Sequence, residues 1–487
     1  MAKCTAVIDI GSNSIRLAVF QKTSRFAFHI LHEAKSSVRL SENAYKNNGF
    51  LQHEAMERTA LALGEFLSIA RSFGARKILC VATSALRDAP NASVFLSRIR
   101  RDHDLSIKVI SGEREAYLGG MACANLLPPI PEAISVDVGG GSSEFTLLRN
   151  GKVEQLFSLN IGTVRIKELF FDTDNIAGAI EYIDEALKQL PHFDTTTLIG
   201  IGGTFRAITR ALMKKEEYPL KKLHAYTTDE TSFLRFTDQI QDSTPKKLRS
   251  LFIKPDRFDT IKPGSLILER IVRYTKSKTL ICSGVGVREG VFLGDLLRNS
   301  GDRFPANYNP SVRYLLDTYG LHSTHAQQCA HLSKRLFELL HVSLGISPEH
   351  HRELSIAAKL LSIGVDVRYY AYQRHSHYLA MNTLDYALNH SQIALIAHLL
   401  LFKKGHTSSS LVPKEGYGTL LPDNSTLDAL SALLWLSHIL LASRIDASEV
   451  SLHVEEGKLF VSGKHLYLAR EQLKNIVLPK SLIVVFD

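Results

Sequence analysis

Cysteine is scarce in this chain: there are five among 487 residues, and none of Cys4, Cys80, Cys123, Cys282 and Cys329 stands in a C-x-x-C pair. An odd, scattered set is no disulfide framework, so a reducing cytoplasm is the expected compartment and the thiols are expected to sit inert in apolar cores. Long apolar runs are also missing. The two longest, 393–402 and 427–443, contain His or Asp and fall short of the roughly 20 apolar residues of a membrane span. They read as buried helices, and no membrane partner is expected. The opening "MAKCTAVIDIGSN" reaches Asp9 before a signal-peptide core could form, which argues against secretion by that route. Several catalytic signatures are absent too. No GxxxxGK[ST] occurs, since Gly463-Lys464 is followed by His465; "EHHREL" (349–354) has the wrong spacing for HExxH. "GGGSS" (139–143) runs into Glu144 between two strands, which is no nucleophile elbow.

What remains is a globular composition, 45% hydrophobic and 22% charged, over a length that calls for two to four domains. The net charge of +9 favours acidic partners. The excess is local: between Thr244 and Lys278 ten Lys/Arg face three acids, and Lys246, Lys247 and Arg249 read as part of a track for a polyanion. Aromatic residues are too thin there to stack bases, so no specific nucleic acid is expected.

Strand-like segments at 5–10 and 15–20 flank a tight "GSNS" turn, and 52–73 has helical periodicity. Further strands are read at 77–83 and 106–110, a helix at 113–127, and a break at "PPIP" (128–131). Asn150-Gly151 marks a hairpin. "TLIGIGGTFRAITRAL" (197–212) and "KTLICSGVGVREGVFLGDLL" (278–297) each read as strand, glycine turn and helix. After the polar linker 298–310 the pattern becomes helical, with 14 of the 20 histidines, and a short alternating tail ends the chain.

The informative feature is an internal repeat. "AVIDIGSNSIRLAVF" (6–20) and "ISVDVGGGSSEFTLL" (134–148) share strand, Asp, apolar residue, Gly, small polar turn and strand. Such a repeat predicts duplication into two α/β halves facing a cleft. Small residues let a backbone approach a ligand, and successive amides make an anion-binding concavity. Gly11, Ser12, Asn13 and Ser14 are therefore expected on one side of a phosphate. Gly139, Gly140, Gly141, Ser142 and Ser143 are expected on the other, with Gly202, Gly203 and Thr204 closing the far wall. An aspartate at each strand end, Asp137 first and Asp9 across from it, is placed to hold a divalent cation on phosphate oxygens. Mg²⁺ is the expected ion and Mn²⁺ its alternative.

"DIGSNSIRL" (9–17), "ATSALRDAPN" (82–91), "SGEREAYLGG" (111–120), "DVGGGSSEF" (137–145), "IGIGGT" (199–204) and "SGVGVREG" (283–290) resemble, in order, motifs of the exopolyphosphatase and guanosine pentaphosphate phosphohydrolase (Ppx/GppA) family of the actin-like ATPase superfamily. The resemblance implies two actin-like (ribonuclease H-like) α/β domains facing a cleft, at 1–128 and 129–300. It implies Mg²⁺-dependent hydrolysis of a terminal phosphoanhydride in inorganic polyphosphate, in pppGpp, or in both, and a homodimer. By the same resemblance Glu115 is the catalytic base, Glu144 a second acid that positions water or metal, and Arg87 a phosphate contact. Arg16, beside the first turn, is open to a structural reading.

Longer family members carry an HD-type helical domain, and 322–340 and 353–382 resemble its core segments. We expect an all-α HD-like domain at 308–445 and a small α+β tail at 446–487. The His-Asp pair that names the HD fold is replaced by Leu361-Ser362, which removes an independent HD metal centre. His325, His375 and His377 read as remnants of it, substrate contacts or core histidines. The domain is expected to wall the polyanion channel and to form the dimer surface. Two other classes stay open at this point: a phosphotransferase of the same superfamily, and a non-catalytic polyphosphate- or nucleotide-binding regulator.

Overall fold

The repeated segments form two hairpins of the same construction. In the computed structural model, which describes residues 3–320, 323–414 and 416–487, β1 (Cys4–Ile10) pairs antiparallel with β2 (Ile15–Lys22). β6 (Glu132–Val138) pairs in the same way with β7 (Ser143–Arg149). The turns close identically: Gly11 N–H donates to the Ser14 carbonyl at 3.2 Å, and Gly139 N–H to the Ser142 carbonyl at 3.0 Å. Register places Arg16 opposite Asp9 and Glu144 opposite Asp137. Residues directly opposite in a sheet share a face, so the duplicated position carries a cation in one half and an acid in the other.

Each hairpin belongs to a sheet grown by the same rule. Adding β3 (Phe28–Ser36), β4 (Lys77–Ala82) and β5 (Lys108–Val109) gives the order β3-β2-β1-β4-β5. The second sheet adds β8 (Lys152–Leu159), β9 (Thr197–Ile201), β10 (Thr227–Asp229) and β11 (Thr279–Cys282), in the order β10-β11-β9-β6-β7-β8. Read from β8, it repeats the first sheet and ends on an antiparallel edge strand. The two α/β halves expected from the repeat are therefore present, and both lie in one compact unit, Met1–Tyr308. The Asn150-Gly151 hairpin has φ of 49° and 67° at its two central residues, as a type I′ turn requires.

Packing departs from the boundary expected at 128. The helix Gly112–Leu126, ahead of that boundary, covers β7 and β8 of the second sheet. The helix Val287–Leu296, late in the second half, packs on β1 of the first. There Phe292 stacks on Phe20 with ring centroids 4.2 Å apart. The two helices also pack on each other. Their contact is close because Gly290 has no side chain: a Cβ there would lie 2.2 Å from the Leu118 carbonyl oxygen. Gly120 is under the same constraint against Thr146, where a Cβ would approach the side chain to 2.4 Å. The exchange of helices binds the halves together through α/β packing and not through a linker.

The second unit is Asn309–Asp487. Its helices include Ser323–Leu340, His351–Leu360, Tyr372–Thr383, His390–Leu399 and Asn424–Leu440. They enclose one leucine-rich core that holds both long apolar runs of the sequence. A three-stranded sheet follows, β12 (Val450–Glu455), β13 (Lys458–Gly463) and β14 (Ile483–Phe486). Its Val450, Leu459 and Val461 enter the same core, so the expected tail completes the helical domain and does not stand apart. Leu361 is buried, and its carbonyl accepts from Ser376 Oγ at 2.9 Å. His322, which opens the first HD-like segment, lies outside the described residues. All five cysteines are buried and free, and among the described residues no helix is long and apolar enough to cross a membrane.

Candidate active site

The two turns meet. A Cβ on Gly140 would fall 2.6 Å from the Ser12 Cβ, and Ser12 Oγ lies 3.2 Å from Ser84 Oγ. Between the turns is a cavity of about 130 Å³. Asp9, Gly11, Ser12, Asn13 and Ser14 line it from the first half; Asp137, Gly139 and Gly140 from the second. Gly202, Gly203 and Thr204 form the far wall, and Glu115 reaches in from the start of its helix. Gly202 is there because nothing else fits: its φ is +87°, and a Cβ would sit 2.6 Å from Asp137 Oδ1.

Asp9 and Asp137 are half-buried, and Asp137 repels the Asp9 carboxyl. Burial, followed by the weaker repulsion of Asp137 and Glu289, pushes the Asp9 carboxyl up to about 6 against the pull of Arg16 and Arg288. Burial also raises Asp137, and Arg206 and Arg16 only partly oppose it. Two carboxylates that ionise with difficulty at one cavity suit a bound hard cation, which would replace their protons and neutralise the pair. Glu144, expected beside them as a third ligand, does not complete such a set. Among the described residues, Asp9, Asp137 and Glu144 do not bring three ligand atoms within 4.8 Å of one another.

Glu144 belongs to a different cluster, just behind the cavity. Its Oε1 accepts from Ser158 Oγ at 3.0 Å, while its Oε2 is shut off from solvent with no hydrogen-bond partner. Arg87 bridges it to Glu115: Arg87 Nη1 donates to Glu115 Oε2 at 3.0 Å, and Nη2 lies 3.9 Å from Glu144 Oε1. Arg87 also donates to Ser142 Oγ at 3.2 Å and to the Ile110 carbonyl. Both carboxyls are raised above the ordinary range, by burial first; repulsion from Glu144 and then Asp137 adds to it at Glu115, and repulsion from Asp137 adds to it at Glu144. Arg87 therefore holds the acid pair and does not line the cavity. Three further turn residues also face away from it. Ser142 and Ser143 are buried, Ser143 Oγ donating to the Ile161 carbonyl. The Gly141 carbonyl accepts from Arg165 at 2.8 Å.

The cations at the cavity are ones to which sequence reasoning assigns no phosphate-binding role. Arg16, Arg206, Arg257 and Arg288 line it, and all four continue into an adjoining cavity of about 500 Å³ that adds Lys35, Arg210 and Lys254. Lys246, Lys247 and Arg249 are not among the residues lining either space. They ride on the short helix Pro245–Ser250, whose only buried residue is Leu248. The basic run does reach the site, but through Lys254 and Arg257 beyond that helix. Arg206 is fixed by the Ser283 and Val285 carbonyls, at 2.7 and 3.0 Å. Arg288 is held by Glu289, Nη2 to Oε1 at 2.8 Å, and by Glu33. Burial disfavours ionisation of Glu289, but Arg288 and Arg206 more than offset this and keep its carboxyl low. Arg16 differs: among the described residues its side chain makes no hydrogen bond and no salt bridge. Burial first and then the neighbouring arginines lower its pKa, more than the Asp9 carboxylate opposite it raises it.

The Ppx/GppA phosphatase family model matches residues 18–299, and the model of that family's domain III matches 309–480. The bifunctional 3-dehydroquinate synthase/phosphatase of Fusobacterium nucleatum is 32% identical over 308 residues, 57% of this chain and 44% of that relative. This chain thus spans less than half of that protein. A guanosine-5'-triphosphate,3'-diphosphate pyrophosphatase of Aliivibrio fischeri is 26% identical over 397 residues, 79% of this chain and 77% of the relative. Among solved structures, the Ppx/GppA family member of Aquifex aeolicus superposes with a TM-score of 0.53 at 29% identity, over 62% of this chain and 99% of its own. An exopolyphosphatase of Cytophaga hutchinsonii gives 0.56 at 24% identity, over 60% and 98%, a likeness of fold.

Proposed function

Because this chain belongs to the Ppx/GppA phosphatase family, we propose that it hydrolyses the terminal phosphoanhydride of inorganic polyphosphate, of pppGpp, or of both, releasing orthophosphate. The observation that carries this reading is the arrangement of Glu115, Arg87 and Glu144 at the edge of a cavity built from two anion-accepting turns. Hydrolysis needs a base that is ionised yet basic, and a buried carboxylate with a raised pKa meets both demands near neutral pH. Arg87 lies nearer to Glu115 than to Glu144, which favours the charge on Glu115 and the shared proton on Glu144. Glu115 takes the proton of the attacking water. Glu144 and Ser158 hold the geometry behind it.

The terminal phosphate occupies the smaller cavity, against the amides of the two turns. Arg16, Arg206, Arg257 and Arg288 take up the charge that builds on the leaving phosphate oxygens. The rest of the substrate lies in the larger basic cavity. Asp9 and Asp137 are the residues that would hold Mg²⁺, and a bound divalent cation would supply positive charge against the phosphate oxygens that two bare aspartates would repel.

The test is phosphate release from long-chain polyphosphate, pppGpp and ATP, measured in parallel with Mg²⁺ and with chelator. Release from either of the first two, dependent on Mg²⁺ and ending at orthophosphate, is the expected result. Formation of ATP from ADP and polyphosphate would replace hydrolysis by phosphotransfer. Binding without turnover would leave a regulator.

A further inference from the structure

The helical unit holds a cluster that the phosphatase reading does not use. His325 and Cys329 are four residues apart on the helix Ser323–Leu340 and so share one face. His438, on the helix Asn424–Leu440, meets them there, its ring centroid 5.6 Å from that of His325. One ligand atom from each of the three lies within 4.8 Å of the other two. From these positions we infer that His325, Cys329 and His438 form a binding site for a borderline transition-metal ion, Zn²⁺, that joins these two helices.

Geometry and chemistry agree on this. Zn–S and Zn–N bonds of about 2.3 and 2.0–2.1 Å at a tetrahedral angle place sulfur and nitrogen roughly 3.5 Å apart. Cys329 Sγ and His325 Nε2 are 3.5 Å apart. His438 Nδ1 is shut off from solvent and has no hydrogen-bond partner, while its Nε2 lies 3.4 Å from the Tyr372 hydroxyl. A metal-bound imidazole has that pattern, one nitrogen on the ion and the other oriented by an oxygen. A nitrogen and thiolate donor set selects Zn²⁺ over Mg²⁺, so the site is chemically distinct from the aspartate pair. His325 and His438 are half-buried, which leaves an entry path and a fourth position for solvent.

Protonation must change for the ion to bind. Burial keeps His438 neutral, lowering it to about 4, so its nitrogen lone pair is available at neutral pH. Burial pushes the Cys329 thiol up to about 12, with Arg444 pulling the other way. Binding therefore breaks the S–H bond, forms the S–Zn bond and releases one proton to solvent per ion.

The full chain, stripped with chelator, is titrated with Co²⁺ and then Zn²⁺. We expect one equivalent of Co²⁺ to give a thiolate-to-cobalt charge-transfer absorption that Zn²⁺ abolishes. Cys329→Ser is expected to lose that absorption and one equivalent of bound Zn²⁺. His325→Asn, at a half-exposed position, is the second variant should Cys329→Ser fail by circular dichroism; it is expected to lose the same equivalent. Zn²⁺ should raise the melting temperature of the wild type and not of either variant. A wild-type titration without thiolate charge transfer, or a folded variant with unchanged Zn²⁺ stoichiometry, overturns the inference. Occupancy of the aspartate pair by Co²⁺ gives no thiolate absorption and is thereby separated.

Discussion

At the scale of single residues, the chemistry depends on which carboxylate carries the charge. Glu115→Gln keeps the shape of the side chain and removes its ability to accept a proton. Removing a general base typically costs about 10²–10⁴-fold, so kcat for phosphate release is expected to fall by that much while substrate affinity stays within a few fold. Near-normal turnover in this variant would move the base elsewhere. Arg87 makes a different prediction, one of pH. Its positive charge stabilises the ionised form of Glu115 at 3.0 Å, so it holds down a pKa that burial raises. Without that charge, protonation of the base persists to higher pH. The acid limb of the kcat/KM profile for Arg87→Met should therefore shift upward, by about one unit or more, whatever the plateau. An unmoved limb would mean that Arg87 acts only on substrate. The turn residues that line the cavity, Gly11 to Ser14 with Gly139 and Gly140, and both aspartates were legible in sequence because a duplicated pattern repeats their spacing. Arg16 was not: it occupies the repeat position that Glu144 fills in the other half, and only the strand register shows that both flank an aspartate.

At the scale of elements, sequence order misleads where helices trade sheets. The proline break at 128–131 is a true end of the helix Gly112–Leu126, but nothing in a helix's own periodicity says which sheet its apolar face will cover. The answer lies in small residues: Gly120 against Thr146, and Gly290 against the backbone of Leu118. The same limit applies to the basic run, where the turn after Ser250 selects Lys254 and Arg257 for the site over Lys246, Lys247 and Arg249. The helix contact makes a testable claim. A methyl group at Gly290 has to push backbone aside, a form of overpacking that costs about 1–3 kcal/mol. Gly290→Ala should lower the melting temperature of the first unit. It should also lower activity, because Arg288 and Glu289 sit within two residues on the same helix and line the cavity. A variant with wild-type melting and activity would show that the two helices can slide apart without consequence.

At the scale of the molecule, the chain is two bodies with separate cores. The residues lining the two cavities run from Asp9 to Glu289 and fall within Met1–Tyr308. The leucine core of the second unit draws only on residues from Val312 onward. The Aquifex aeolicus family member is almost wholly accounted for by a stretch equal to 62% of this chain, a share close to that of the first unit. Domains with their own cores can fold alone. A fragment of residues 1–308 is therefore expected to fold and to release phosphate with kcat within about tenfold of the full chain, a difference of ~1.4 kcal/mol in the barrier. The fragment 309–487 is expected to give a helical circular dichroism spectrum and a cooperative melt without activity. Steady-state kinetics on both fragments, with spectra recorded on the same samples, provide the check. If the first fragment is folded but its kcat falls by more than about a hundredfold, the helical unit supplies a group to the reaction and the site as built here is incomplete. If kcat holds and only KM for long polyphosphate rises, the helical unit binds the chain far from its reacting end.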